Sequence, residues 1–437
     1  MGKRKSLTSN ETSGMSFGEL FQKKMKEIVN VDALPEQLSI PTGNDLFDKI
    51  IGGGLLTGTF NMFTGPAGSG KSTFAINIMS NFLKMFPNGY VIYFDTEQAT
   101  TDDRLRMLGV PYDEAKKENR IFKMSYGCTV EEVFQSIQNF IELKEKFAVE
   151  KEDPSERTVP SLIVWDSVDM SPTIKELEVD SSEKATGQKA KQIGFFMRKY
   201  TRDFRKYNIL FITVNHITKK LSMMGPYEPY DGAMASLGSF RLSGGKSIQY
   251  GPSTLCFLRG MENTKKRREI LEKYGIESGS IVEASTMKCK RFSCNITVEL
   301  IFDSIYGFDN FITKVHNMIM SEWIRPNGRS YSFPNDEEKY KLEDFRNLYM
   351  NDETFKNKFD KSWNEYIENR YSYYTNTLNK LNEKYPNMDT DGLTNNVNMG
   401  TINEIISDTF TREEGEGDID PSFAREADFS GEIEESE

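Results

Sequence analysis

Gly65-Pro66-Ala67-Gly68-Ser69-Gly70-Lys71-Ser72 follows a short apolar run, residues 59–64, and opens a longer stretch, residues 71–86, with helical spacing of its apolar residues. A G-x-x-x-x-G-K-[ST] loop set between a strand and a helix is a phosphate cradle. Glycines at 65, 68 and 70 let the backbone wrap with its N–H groups pointing inward, and the helix N-terminus adds partial positive charge. Lys71 is then placed to reach β- and γ-phosphates, and Ser72 to set its hydroxyl on Mg²⁺. The ATP-binding set read from this loop is Gly65, Pro66, Ala67, Gly68, Ser69, Gly70, Lys71, Ser72 and Thr73. The earlier glycines, Gly52-Gly53-Gly54 and Gly58, precede the strand and read as a turn.

Working outward, strand and helix patterns alternate, as they do in a parallel sheet with crossover helices. Strands are expected at 59–64, 90–94, 161–166 and 209–214, with helices at 71–86, 130–147 and 186–207. Residues 253–260, 280–292 and 296–302 read as antiparallel additions. The expected fold class is α/β, a P-loop ATPase core with a mixed, mostly parallel sheet. The domain plan has six parts. Residues 1–14 form a polar, basic, disordered start, and 15–35 an amphipathic helix (Phe17, Leu20, Phe21, Met25, Ile28, Val29) that contacts a neighbouring subunit. The core occupies 36–302, a small, mainly helical C-terminal domain 303–384, a linker 385–412 and an acidic tail 413–437.

A phosphate cradle needs a carboxylate to hold the metal's water shell, and Leu162-Ile163-Val164-Trp165-Asp166 supplies one at a strand's C-terminal end, where ligands of α/β sheets bind. Ser72 and Asp166 are therefore the expected metal pair. Hydrolysis also needs a group to activate water. Glu97, just beyond the strand 90–94, is placed for that task.

Composition narrows the function classes. The 437 residues carry 55 Lys and Arg against 66 Asp and Glu, a net charge of −11. Eleven carboxylates and one base, Arg425, lie in residues 413–437, which leaves −1 for the rest. A protein that coats nucleic acid by overall charge is excluded. No run of about 18 apolar residues and no apolar leader core occur, so a cytoplasmic protein without a membrane partner is expected. Cys128, Cys256, Cys289 and Cys294 are scattered and read as reduced thiols. With two histidines, His216 and His316, a multi-histidine metal site is excluded.

The ordered motifs resemble the RecA-like recombinases, and within them the phage UvsX type. Ile40-Pro41-Thr42-Gly43 through Gly52-Gly53-Gly54-Leu55, the loop 65–72, Asp95-Thr96-Glu97, Leu108-Gly109-Val110, Asp166-Ser167 and the strand ending Asn215-His216 carry the likeness, as does Ser243-Gly244-Gly245-Lys246. It spans residues 36–320. The resemblance implies a RecA-like core, with Glu97 and Lys71 catalytic and His216 sensing the γ-phosphate. Lys288 and Lys290 would reach ATP bound by the adjacent subunit. It also implies a helical filament on single-stranded DNA, later paired with homologous duplex, and a loader or single-strand-binding protein as a further partner. Where the family has a tyrosine against adenine, this chain has Arg104, whose planar guanidinium can stack on a base.

Single strands are gripped by cations along the backbone and by aromatic groups against bases. Residues 217–246 offer both: Lys219, Lys220, Tyr227, Tyr230, Phe240, Arg241, Gly244, Gly245 and Lys246. A first loop would contribute Lys184 and Lys189, while Lys265-Lys266-Arg267-Arg268 is either a duplex contact or a solvated face. The expected activity is DNA-dependent ATP hydrolysis driving homologous pairing and strand exchange. A ring-forming replicative helicase and a non-hydrolysing ATP-binding assembly protein are the alternatives. The acidic tail is expected to mimic phosphate and restrain access to DNA.

Overall fold

The computed structural model describes residues 16–21, 23, 34–178, 188–219, 240–242, 246–262, 264–334 and 336–384. Its centre is a ten-stranded sheet. The strands and helices used below are β1 (Phe60–Gly65), α1 (Lys71–Met85), β2 (Tyr90–Asp95), β3 (Ile121–Met124), α2 (Val130–Glu150), β4 (Ser161–Asp166), α3 (Gln188–Lys206) and β5 (Ile209–Lys219). They continue with β6 (Thr254–Gly260), α4 (Lys265–Lys273), β7 (Gly279–Cys289), β8 (Thr297–Asp303), β9 (Gly307–Phe308) and α5 (Asn310–Met320). The order across the sheet is β9-β8-β7-β6-β1-β5-β4-β2-β3, and a short strand, Phe240–Leu242, pairs with β5.

β1 is flanked by β6 and β5 and runs parallel to both. The expectation that 253–260 joins the antiparallel additions is thereby corrected: β6 belongs to the parallel set, and antiparallel pairing begins at β7. A fully buried strand has the same apolar text whichever way its neighbour runs.

Alternation sorts β1 between two layers. Phe60 and Met62 join the core beneath α2 and α3, where Phe134 and Phe196 stack with centroids 3.9 Å apart. Phe63 faces the other way, against Phe74 of α1 and Phe47. Phe74 is fully buried, and the rings of Phe47, Phe63 and Phe308 meet it edge-on at 5.0, 5.0 and 5.1 Å. Edge-to-face pairs add to the gain from area burial. Phe74 thus joins the first turn of α1 to β9, and packing crosses Asp303 without a break.

Residues Met1–Ser372 group as one compact unit and Tyr373–Glu437 as another, the division falling within the helix Glu353–Lys384 near its non-helical residue Tyr371. At the N-terminal side residues 17–21 are helical, started by Ser16 and Glu19 bonding each other's backbone N–H groups. Phe17 and Phe21 stack on each other and are otherwise exposed, at 83% and 53%.

Phe74→Ala should destabilise the protein by about 3–5 kcal/mol, the usual cost of deleting a buried ring, measured by denaturant unfolding. A second expectation concerns Lys144 of α2, which is buried and donates to the Val159 carbonyl and Ser161 Oγ. Burial pushes its ammonium down from 10.5 to about 7. A base depressed on folding costs stability once pH falls below its unfolded value, with the full cost reached below its folded one. Lys144→Met should therefore show its most favourable melting temperature, relative to the parent, below pH 7, and the difference should shrink as pH rises towards 10.5.

Candidate nucleotide site

Because β1, β2, β4 and β5 are parallel, their C-terminal ends lie on one edge of the sheet: Gly65 pairs with His216, and Asp95 with Asp166. The loop 65–72 starts on that edge. At Gly65, with φ 151°, an added Cβ would sit 1.9 Å from the Leu258 carbonyl oxygen. At Gly70, the left-handed residue that starts α1, an added Cβ would meet the Phe308 ring at 2.8 Å. These two glycines are demanded by packing as well as by the anion nest.

Lys71 is buried, and its Nζ donates to the Pro66 carbonyl of its own loop at 2.6 Å. Burial lowers its pKa from the ordinary lysine value, while Asp166, Glu97 and Asp169 pull the other way. Asp166 is also buried, and desolvation pushes it up to about 6 against the pull of the Ser72 and Tyr93 hydroxyls. Its Oδ1 is buried without a hydrogen-bond partner. That orphaned oxygen and the neighbouring Ser72 hydroxyl suit Mg²⁺, a hard cation that keeps several of its waters. Among the described residues no cage of three or more His, Cys, Asp or Glu side chains forms, as suits a metal held chiefly by phosphate, water and one carboxylate.

Glu97 follows β2, about a third exposed. Its Oε1 accepts from Ser167 Oγ at 2.7 Å and lies 2.9 Å from His216 Nε2. Both partners converge on one oxygen, and Oε2 has no such partner among the described residues. Burial would raise the carboxyl, but the bonds from His216 and Ser167 and the charge of Lys71 outweigh it and hold Glu97 below its ordinary value. The His216 backbone N–H donates to Asp169 in the loop after β4. The structure therefore brings Lys71, Ser72, Asp166, Glu97 and His216 together.

Other expected residues fall elsewhere. β5 does not stop before His216 but continues to Lys219, and Ile217, Thr218 and Lys219 pair with Leu242, Arg241 and Phe240. The long segment after His216 thus has its two ends joined by a strand ladder. Lys184, Lys220, Tyr227, Tyr230, Gly244 and Gly245 lie outside the described residues, and Lys246 begins the short helix Lys246–Tyr250. Lys189 is half-buried, with its Nζ on the Asp169 carbonyl at 2.8 Å, so its ammonium is turned inward rather than towards solvent. Lys288 donates to the Tyr250 carbonyl, and Lys290 is exposed. Both sit near Cys289, which pairs with Thr254 at the start of β6, the sheet edge opposite Lys71. His316 is buried between Tyr274 and Glu299, a bonded core histidine.

Arg104 Nη1 is 2.5 Å from the Ile305 carbonyl, so its guanidinium is committed to the turn between β8 and β9. Sequence reading missed that turn. Asp303 Oδ1 accepts from the backbone N–H of Ile305 and of Tyr306, and Tyr306 is 73% exposed. A Cβ at Gly307 would lie 3.1 Å from Thr73, which puts this turn beside the first turn of α1. The available signal was an aromatic-glycine pair directly after a strand.

Residues 40–222 match the family model described as the KaiC ATPase. The chain is 25% identical over 243 residues to the DNA repair and recombination protein RadB of Methanosphaera stadtmanae, covering 55% of this chain and 89% of that protein. It is 28% identical over 196 residues to protein RecA of Citrifermentans bemidjiense, covering 45% and 51% of the two chains. Protein RecA of Nitratidesulfovibrio vulgaris is 26% identical over 269 residues, 61% of this chain and 64% of that one. The matched part thus spans about half to two thirds of these RecA proteins' length. The fold is the KaiC-like, RecA-type P-loop ATPase fold.

Since His216 favours the ionised form of Glu97, His216→Ala should raise the pH at which Glu97 titrates in the nucleotide-free protein. Carboxyl ¹³C NMR with Glu97→Gln for assignment measures it, and an unmoved midpoint would show that the contact carries no weight.

Proposed function

We propose that this protein is an ATP-dependent recombinase of the phage UvsX type, which polymerises on single-stranded DNA and promotes homologous pairing and strand exchange. The observation that carries the reading is the gathering of Lys71, Ser72, Asp166, Glu97 and His216 on one sheet edge, with His216 next to the strand ladder that begins at Ile217. A relative named as a DNA repair and recombination protein, RadB, and the similarity to RecA proteins support it.

Lys71 leaves the Pro66 carbonyl to bind β- and γ-phosphate oxygens, and the inward N–H groups of the loop bind the rest. Ser72 and Asp166 would hold Mg²⁺, which when bound would offset the charge on the phosphates. Glu97 Oε2 takes the proton of the attacking water. His216, turning from Glu97 Oε1 to the γ-phosphate, releases Glu97 from a bond that weakens it as a base. Because His216 and Lys219 belong to one strand, that turn is passed into the ladder and the DNA-binding segment. Tyr306 offers its exposed ring to the base, while Arg104 holds the turn that presents it. Lys288 and Lys290, far from their own chain's site, reach a neighbour's, so the active site is completed by polymerisation. The amphipathic helix with exposed Phe17 and Phe21 is the linking arm. Tail residues 413–437 compete with DNA for the cationic segments, and a loading protein relieves them.

ATP turnover should rise on adding single-stranded DNA, and electron microscopy should show helical filaments. Glu97→Gln should lower turnover by about 100-fold or more, as loss of a general base does, while still binding ATP. Closed rings that unwind duplex without exchanging strands would overturn the reading in favour of a helicase.

A further inference from the structure

One buried hydroxyl beside the nucleotide site has no task in this scheme. Tyr93 is fully buried in β2, where Ile92 and Phe94 point into the core beneath α2 and α3 and Tyr93 points to the opposite face. Packing alone would be served by phenylalanine, because a buried phenol needs a hydrogen-bond partner. Tyr93 finds two. Its hydroxyl donates to Asp166 Oδ2 at 3.2 Å and lies 2.9 Å from Thr100 Oγ1. The pairing register explains the reach: Tyr93 lies opposite Val164 and Asp95 opposite Asp166, so the phenol meets Asp166 along the diagonal.

A phenol has one proton to give. With that proton on Asp166, the Thr100 hydroxyl must donate to the Tyr93 oxygen, and the bonds run in one direction from Thr100 through Tyr93 to Asp166. Burial, with the charges of Asp166 and Asp95, holds the phenol well above its ordinary value, so it remains a donor. Thr100 is itself fixed. Its backbone N–H donates to Asp95 Oδ2 at 3.0 Å, and its carbonyl accepts from Lys123. Residues 96–100, which include Glu97, are closed by that anchor. Asp166 Oδ1, the oxygen Tyr93 leaves alone, is the buried one without a partner.

We propose that Tyr93 is a positioning residue for the metal-binding carboxylate: by occupying Asp166 Oδ2 it presents Oδ1 to the metal's water shell, and through Thr100 it ties the Glu97 loop to that same carboxylate. The inference rests on the nucleotide-site reading above. It requires that removing one oxygen atom, without changing the packing, weaken the metal and leave the phosphate cradle alone.

Tyr93→Phe does that, and Thr100→Val removes only the donor behind it. Mn²⁺ binding to the protein–ADP complex, followed by electron paramagnetic resonance, reads the metal without relying on turnover. ADP affinity in EDTA and the melting temperature are measured alongside. Tyr93→Phe should weaken Mn²⁺ about tenfold, the lower end of what loss of an outer hydrogen bond to a metal ligand costs, with ADP affinity in EDTA unchanged. Thr100→Val should move Mn²⁺ affinity in the same direction by less. A Tyr93→Phe protein that melts like the parent and gives a superimposable Mn²⁺ titration would overturn the proposal. So would a loss of metal-free ADP binding equal to the loss of Mn²⁺, since that is a general disturbance of the site. A parent protein that binds no ADP would refute the nucleotide reading itself, an outcome separate from either.

Discussion

Unlike charges drawn out of water at the C-terminal ends of β1 and β4 set the terms for the rest of the molecule. An ammonium and a carboxylate buried together are costly unless each is paired or bonded. Among the described residues, Lys71 bonds to a carbonyl of its own loop and Asp166 keeps an oxygen with no partner. The remaining elements are arranged to tolerate that shortfall. Phe74 and Phe308 hold the start of α1 against β9, Leu258 closes on Gly65, and Tyr93 and Ser72 supply Asp166 with hydroxyls. A site left short of partners within a well-packed frame has bonding capacity reserved for something that arrives from outside. On the proposed reading, a triphosphate with its metal would supply anionic oxygens to Lys71 and a cation to Asp166.

What could be read from the sequence follows from how local each interaction is. The loop 65–72 and its flanking strand and helix are contiguous, and their chemistry is written in backbone requirements of glycine and in one lysine. Asp166 and Glu97 were legible because both follow apolar strands, and parallel strands bring their C-terminal ends to a common edge. The direction of β6 was not legible, since it depends on a partner nearly 200 residues earlier and not on its own pattern. Lys189 and Arg104 escaped for a related reason. Lys189 is expected as a DNA contact and Arg104 as a group stacking on the base, and each is taken up by a carbonyl distant in sequence, that of Asp169 or of Ile305. The contacts of Ser167 and Tyr93 were not legible, because nothing in their neighbours' types reveals a bond to Glu97 or to Asp166.

The charge distribution changes meaning once the fold is known. A body near neutrality cannot hold a polyanion by its average field, so affinity has to arise where cations are concentrated and acids are absent. Helix α4 is a poor candidate on those terms: its exposed Lys265, Lys266, Arg268 and Lys273 are interleaved with Glu269 and Glu272. The ladder that continues β5 is a better one, because Lys219 and Arg241 lie in adjoining pairs with an aromatic residue, Phe240, directly opposite Lys219.

That same ladder makes a mechanical link necessary. A strand transmits displacement along its axis because its residues are held by hydrogen bonds to both neighbours, and β5 is held by β4 up to Val214 and by β1 up to His216. Beyond His216 those neighbours end, and Phe240–Leu242 takes over on a different footing, antiparallel and with three paired residues. His216 is therefore the last residue paired within the parallel sheet, and Ile217 is the first paired in the ladder. Its backbone is fixed to Asp169, and its ring is on Glu97. A change of partner at the ring can be accommodated only by side-chain rotation or by movement on the ladder side, because the sheet side cannot give. In the sensing role proposed for His216, movement would thus be directed away from the core and into the ladder Ile217–Lys219.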